Sequence, residues 1–175
     1  GPTAVGKGTV VAALTKRFPT LNVSISATTR APRPGELNGV HYYFVSTQEF
    51  DAMIERGDML EWALVHGKNK YGTPRGPVDE ALAAGKPVLL EIDLAGARQV
   101  RTTRPDAQFI FLAPPSWEEL ERRLIGRGTE SPEEQARRLT TARVELEAAS
   151  EFDHVVINDD VERAVDELAR LIGLE

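Results

Sequence analysis

Two arginines lie three residues apart in a segment that contains two prolines, Arg30-Ala31-Pro32-Arg33-Pro34. Proline fixes φ and removes a backbone N–H donor, so this segment is not expected to be helical. A guanidinium group presents its N–H donors as a planar fork that matches the oxygens of a phosphate. Two such forks on a stiff loop predict a phosphate site. The alternative is a solvated surface loop with two ordinary arginines.

A second candidate phosphate site opens the sequence, as Gly1-Pro2-Thr3-Ala4-Val5-Gly6-Lys7-Gly8-Thr9. Its glycines allow backbone N–H groups to approach a phosphate, and a helix-period apolar run follows directly. A helix N-terminus adds unpaired N–H groups and a positive dipole end. This pattern predicts a P-loop, in which Lys7 reaches the β- and γ-phosphates of a nucleoside triphosphate. A chance glycine-rich turn is the alternative.

The predicted P-loop departs from the usual pattern in one position. The residue after the lysine is ordinarily Ser or Thr, which binds Mg²⁺. Here it is Gly8, and the hydroxyl comes one place later, on Thr9. We therefore expect the phosphate cradle to be kept and leave the direct hydroxyl ligand of the metal open. A P-loop also follows a buried strand, which would have to precede Gly1.

Composition restricts the class of protein. The 175 residues are 41% hydrophobic and 27% charged, which is typical of one folded globular domain. No apolar run approaches the ~18 residues of a membrane span, and the absence of cysteine excludes disulfides and thiol chemistry. The net charge of −6 argues against a nucleic-acid partner. We expect a cytoplasmic protein that binds small anions in local basic pockets.

Helical and strand patterns alternate along the chain. Apolar strands between helices predict an α/β fold with a parallel sheet covered on both faces. Residues 33–73 are rich in Gly, Pro and Tyr and predict a small inserted unit, and 122–141 is arginine-rich and could form a lid. The predicted helices are 7–18, 47–56, 75–84, 94–103, 116–126, 132–150 and 160–172; the predicted strands are 21–26, 41–45, 60–66, 87–92, 108–112 and 155–157.

These motifs together resemble the guanylate kinase family, nearly from end to end. Besides the P-loop and 26–36, the matching segments are Leu60-Glu61-Trp62-Ala63, Tyr71-Gly72-Thr73, Glu91-Ile92-Asp93, Ala113-Pro114-Pro115-Ser116, Gly126-Arg127-Gly128-Thr129-Glu130 and Asn158-Asp159-Asp160. The resemblance implies transfer of the γ-phosphoryl of ATP to GMP, and also to dGMP, with Mg²⁺. It implies a P-loop NTPase-like core (1–25, 74–121 and 142–175), a GMP-binding insert (26–73) and a lid (122–141).

For the acceptor, the resemblance implies a phosphate group and a base group of side chains. The phosphate is held by Arg30, Arg33, Tyr42 and Tyr71, and Glu36 belongs to the same GMP site. Guanine presents its N1–H and its exocyclic amine side by side, and one carboxylate accepts both. The resemblance gives this role to Glu61, places the Ser26 and Thr73 hydroxyls at the base edge, and adds Glu91 and Asp93 as base contact and metal-linked carboxylate.

Each of these assignments has a simpler alternative. Each tyrosine could pack in the core, and of the pair Tyr42-Tyr43 only one can face the site. Glu61 could be a solvated strand residue, although it lies between Leu60 and Trp62. Asp93 could cap a helix, and both of its roles can hold at once.

For the donor, the resemblance implies arginines that neutralise the transferring phosphoryl group, namely Arg123, Arg127 and Arg138. Asn158 matches an adenine contact, and a cap of the last helix is the alternative. The implied catalytic residues are Lys7, Arg30, Asp93, Arg127 and Arg138. Mg²⁺ is expected to be bound through the ATP phosphates, with Thr9 and Asp93 acting through water.

Two other functions compete with this interpretation. Guanylate-kinase-like domains of scaffold proteins bind phosphorylated partners without catalysis, but such a domain has no need of Lys7, Arg127 and Arg138. Another nucleoside monophosphate kinase would need a different base pocket from the one that Glu61 predicts. We therefore expect an enzyme with ATP and GMP as substrates and with neither nucleic acid nor membrane as partner; the sequence leaves the oligomeric state open.

Overall fold

The computed structural model describes residues 1–126 and 130–174, which form seven α-helices, one 3₁₀ helix and eight strands. The helices are α1 Lys7–Arg17, α2 Thr47–Glu55, α3 Arg75–Ala83, α4 Leu94–Thr103, α5 Trp117–Ile125, α6 Pro132–Glu147 and α7 Val161–Ile172, with the 3₁₀ helix at Ala148–Glu151. The strands are β1 Asn22–Val23, β2 Ala27–Thr28, β3 Tyr43–Phe44, β4 Met59–Val65, β5 Asn69–Pro74, β6 Val88–Leu89, β7 Ile110–Ala113 and β8 His154–Ile157. Within the described ranges, no helix is long and apolar enough to cross a membrane.

The chain divides into two compact units. Gly1–Pro19 and the described part of Gln108–Glu175 form the first unit, in which β7 and β8 pair in parallel and α1 packs against α7. The apolar residues of α7 recur at helical spacing and bury one face, as does Leu14 of α1. Asp160 caps the start of α7, and Gly173 ends it with φ 83°, a left-handed conformation that suits glycine.

Thr20–Ala107 form the second unit, which contains a four-stranded sheet in the order β3-β2-β5-β4. Strands β4 and β5 form a hairpin whose turn residues His66 and Gly67 both have positive φ, as a type I′ turn requires. The sheet packs on α2 through the buried side chains of Ala27, Phe50 and Met59. Strands β1 and β6 of this unit pair in parallel.

The structure confirms the predicted α/β class and every predicted helix to within a few residues. The prediction of parallel strands holds for β1–β6 and β7–β8. The four-stranded sheet belongs to the region of the predicted insert, for which no strand direction is predicted. In this sheet β2 and β3 pair in parallel, and β5 runs antiparallel to both of its neighbours. The sequence does not predict β2 or β5 as a strand. Strand β5 contains Gly72 and ends at Pro74, and both residue types are depleted in strands.

Candidate active site

The glycine-rich loop of the first unit turns sharply before α1. Ala4 has φ 70° and Gly6 has φ 97°, and the Val10 amide donates to the Gly6 carbonyl at 3.1 Å. Helix α1 then begins at Lys7, and in the described structure no side chain caps it and its first turn carries no acidic residue. The first amides of α1 and its positive dipole end are therefore available to an anion. Ala4 is one of few non-glycine residues with positive φ, and such strain of about 1–3 kcal/mol is concentrated at ligand sites.

Two side chains of the same unit hold this loop through its carbonyl groups. The Asn158 Nδ2 donates to the Val5 carbonyl at 2.8 Å, and Asn158 is only 6% exposed. The Arg123 Nη1 lies 3.5 Å from the Ala4 carbonyl oxygen and 3.4 Å from that of Val5. A Cβ on Gly6 would lie 2.8 Å from Asn158 Nδ2, so this glycine makes room for the amide.

The structure thus gives Asn158 a role that the sequence did not indicate. Asp160, not Asn158, caps α7, because its side chain accepts from the Glu162 amide. The adenine contact of Asn158 stays a prediction. The hydrogen bond from Asn158 to the loop does not depend on an adenine contact, and it joins two segments 153 residues apart.

The predicted lid arginines are paired with acids of the first unit. Arg138 Nη1 lies 2.7 Å from Glu130 Oε1, and Arg123 Nε lies 3.3 Å from Glu119 Oε1. Arg138 remains about half exposed, so its guanidinium is accessible to a phosphate. Arg127 lies outside the described residues.

In the second unit, the Arg30 guanidinium is the centre of a polar and aromatic cluster. Its Nη1 and Nη2 donate to the two Glu36 oxygens at 2.9 and 3.1 Å, and its Nε donates to the Tyr71 hydroxyl at 3.2 Å. Its Cζ lies 5.2 Å from the centroid of the Tyr42 ring. The structure therefore brings together four of the predicted GMP residues. Tyr43 instead packs on the Phe50 core, so Tyr42 is the member of the pair that faces the cluster.

The segment that follows Arg30 is a tight turn. Pro34 precedes Gly35, which has φ 86°, and the Glu36 amide donates to the Arg33 carbonyl at 3.0 Å, as in a type II turn. The Glu36 Oε1 in turn accepts from the Arg33 amide at 2.7 Å. Hydrogen bonds from Arg30, and then from the Arg33 backbone, lower the Glu36 pKa to about 2. The Arg33 guanidinium is exposed and takes no part in the Arg30–Glu36 ion pair. Its contact with the phosphate stays a prediction.

Glu61 lies on β4, directly across from Thr73 on β5. The Thr73 hydroxyl donates to Glu61 Oε1 at 2.8 Å, and Thr73 is fully buried. Burial is the main cause that raises the Glu61 pKa, the Thr73 hydrogen bond opposes it, and the charge of Asp93 adds to it. Thr73 thus holds one oxygen of this partly desolvated carboxylate. The other oxygen, Oε2, can accept hydrogen bonds from a ligand.

Asp93 and Gly96 complete the surroundings of this carboxylate. Asp93 caps α4, with its Oδ1 accepting from the Gly96 amide at 2.8 Å, so the capping role is confirmed. A Cβ on Gly96 would lie 3.1 Å from both Asp93 Oδ1 and Glu61 Oε2. Gly96 therefore leaves room for both carboxylates, a role that the sequence analysis missed. The available signal was its position three residues after the Asp93 cap.

The remaining predicted residues are placed less specifically. Glu91 and Thr9 are exposed, Ser26 is half-buried, and the Ser26 carbonyl accepts from the Tyr43 amide at 2.9 Å. None of the three has a side-chain hydrogen bond to the clusters above within the described residues. Their roles stay predictions.

The first unit has a glycine-rich loop at a helix N-terminus, and the second has an arginine–tyrosine cluster and a half-buried carboxylate on one sheet. These are the features of a P-loop nucleotide phosphotransferase. The family model described as "Guanylate kinase" matches residues 1–175. Guanylate kinases of Cutibacterium acnes and Nocardia farcinica are 59% and 60% identical to the chain, covering 99% and 98% of it and 87% and 89% of their own lengths. The solved guanylate kinase of Anaplasma phagocytophilum is 33% identical, with a TM-score of 0.72 over 95% of this chain and 80% of that one. The chain therefore belongs to the guanylate kinase family.

Proposed function

We propose that the chain transfers the γ-phosphoryl group of ATP to GMP, giving ADP and GDP, and that it also accepts dGMP. The observation that carries this proposal is the Glu61 carboxylate, which is anchored by Thr73 on one oxygen and shares its sheet with the Arg30 cluster. That pairing suits a guanine base at one end of the site and a phosphate at the other.

The sequence of β5 places the phosphate end and the base end of the proposed site along one strand. Tyr71 and Thr73 are two residues apart on β5 and therefore project to the same face, separated by about 7 Å. Tyr71 contacts Arg30, and Thr73 contacts Glu61. A single nucleotide lying along β5 would meet phosphate donors at one end and the base-reading carboxylate at the other.

The Arg30 cluster also explains how a phosphate would be accommodated. Glu36 accepts one hydrogen bond from each terminal nitrogen of Arg30 and aligns the guanidinium. Each terminal nitrogen carries two N–H groups, so Nη2 keeps one that can donate to a phosphate oxygen. The Tyr42 and Tyr71 rings lie edge to face with centroids 6.0 Å apart, and tyrosine hydroxyls donate to phosphate oxygens without adding charge. Arg33, with its guanidinium exposed, supplies the second cation.

The donor nucleotide is assigned to the loop before α1, with Lys7 on its β- and γ-phosphates. Phosphoryl transfer needs little covalent chemistry from a protein, so positioning and charge neutralisation provide most of the catalysis. Arg123 and Arg138, with Arg127, provide that positive charge. Asp93 is assigned to the acceptor side, next to Glu61.

Mg²⁺ fits the donor chemistry of the residues assigned to it. The Thr9 hydroxyl and the Asp93 carboxylate are exposed oxygen donors, and Mg²⁺ prefers oxygen ligands while keeping several waters. The family resemblance implies a water-mediated role for each of them, and the nucleotide phosphates would provide the direct ligands. When bound, Mg²⁺ neutralises phosphate charge.

Lys7→Ala tests the division between the two nucleotides. We expect turnover to be abolished while GMP still binds in calorimetry, because Lys7 and the GMP cluster belong to different units. Lys16→Ala is the matched control, since Lys16 is an exposed lysine near the end of the same helix. Loss of GMP binding by a folded Lys7→Ala protein would contradict the assignment.

Two further expectations stay predictions. The limits of the core, insert and lid given above would be checked by limited proteolysis with and without both nucleotides. The cytoplasmic location would be checked by cell fractionation.

A further inference from the structure

We propose that Gln99 is a positioning residue that sets selectivity for guanine by fixing the backbone around Glu61. The inference rests on the proposed function, because it assumes that Glu61 reads the base. It concerns a residue to which neither the motifs nor the comparisons assign a role.

Gln99 uses both ends of its side-chain amide on one residue of β4. Its Oε1 accepts from the Trp62 amide at 3.0 Å, and its Nε2 donates to the Trp62 carbonyl at 2.9 Å. This is the pairing that a neighbouring strand would provide. Strand β4 is the last strand in the sheet order β3-β2-β5-β4, so Gln99 pairs with an edge that no described strand of this sheet covers.

Thr103, one turn further along α4, extends the contact to the other side of Glu61. Its hydroxyl donates to the Leu60 carbonyl at 2.7 Å. The two side chains therefore bind the backbone of Leu60 and Trp62, the residues that flank Glu61. Gly96 of the same helix is the residue whose added Cβ would approach Glu61 Oε2, so one face of α4 follows this part of β4 closely.

The backbone at this point needs such support. The β4–β5 register shifts between Met59 and Glu61, and a bulge of this kind changes the direction in which the next side chain points. Accepting two adjacent N–H donors requires a carboxylate held to within about 0.5 Å. Thr73 fixes one oxygen of Glu61, and Gln99 fixes the main chain from which the side chain projects.

The test compares GMP with inosine monophosphate, which lacks the exocyclic amine of guanine but keeps N1–H. Gln99→Met keeps the length of the side chain and removes both hydrogen bonds. We expect the ratio of kcat/KM for GMP to that for inosine monophosphate to fall about fivefold, with KM for ATP unchanged. Gln48→Met is the matched control, because Gln48 is exposed on α2 and its loss should leave the ratio unchanged.

Thr103→Val is measured in parallel. This isosteric change removes the hydrogen bond to the Leu60 carbonyl, and its selectivity ratio provides the test if Gln99→Met fails to fold. An unchanged ratio in the folded variant, or an equal fall with Gln48→Met, would overturn the inference. An equal loss for both acceptors and for ATP would also overturn it, because that pattern indicates general structural damage. The wild-type protein is measured first: no turnover of GMP there would overturn the proposed function itself, before any variant is considered.

Discussion

The assignment of Glu61 as the guanine-reading residue can be tested by replacing it with glutamine. Glu61 Oε1 accepts from the buried Thr73 hydroxyl at 2.8 Å. If the amide introduced by Glu61→Gln keeps its oxygen on Thr73, its NH₂ group takes the place of Oε2. A donor then faces the N–H donors of guanine, and at least one charge-assisted hydrogen bond is lost.

The size of the effect follows from that loss. A hydrogen bond to a charged group contributes about 1.5–3 kcal/mol, which corresponds to a fall of about 10- to 150-fold in kcat/KM for GMP. Adenine presents no comparable pair of donors, so kcat/KM for AMP should not fall. Glu61→Gln should therefore reduce the GMP:AMP selectivity by nearly the same factor.

Thermal unfolding separates a binding role from a structural one. Burial raises the Glu61 pKa, which means that the folded protein disfavours the charged form at neutral pH. A neutral amide avoids this cost, so the melting temperature of Glu61→Gln should equal or exceed that of the wild type. An unchanged ratio of GMP to AMP rates, measured by coupled ADP release, would refute the assignment. A variant whose activity and melting temperature both fall would also refute the reasoning.

Three other predictions follow from the same geometry. KM for GMP should rise as pH falls through the Glu61 pKa, which burial raises above its ordinary value, because protonation removes an acceptor. A matching rise in KM for ATP would contradict this. Asn158→Ala should raise KM for ATP about fivefold by releasing the Val5 carbonyl, and calorimetry should show unchanged GMP binding; weaker GMP binding would count against a local effect. Glu36→Gln should flatten the decrease in melting temperature as pH falls from 4.5 toward 2, because Arg30 holds the Glu36 pKa near 2 and this carboxylate stabilises the fold only while it is ionised; identical profiles for both proteins would disprove that contribution.

The helices could be predicted because their ends carry local signals. Ser46, Ser116, Ser131 and Asp93 each accept a hydrogen bond from a first-turn amide, and these residue types are recognisable N-caps. Strand β5 lacked such a signal. It forms because β4 supplies its partner through the His66-Gly67 turn, which makes the β4–β5 pair antiparallel.

The types of residue in the site could be predicted, but their partners could not. Alternation along a strand allowed either Tyr42 or Tyr43 to face the site, and only the packing of Tyr43 on Phe50 decides between them. The bond from Asn158 to Val5 links distant parts of the chain. Sequence patterns of local period contain no information on such a pair.

The central claim is that the chain is a guanine-selective phosphotransferase. The most direct test is a coupled ADP-release assay with ATP and Mg²⁺ in which GMP, dGMP, AMP, CMP and UMP are offered separately. We predict turnover with GMP and dGMP and none with the other three. Turnover of AMP or of a pyrimidine nucleotide at the GMP rate would contradict the base pocket, and no turnover with any acceptor while GMP still binds would contradict the proposed function and favour a non-catalytic binding domain.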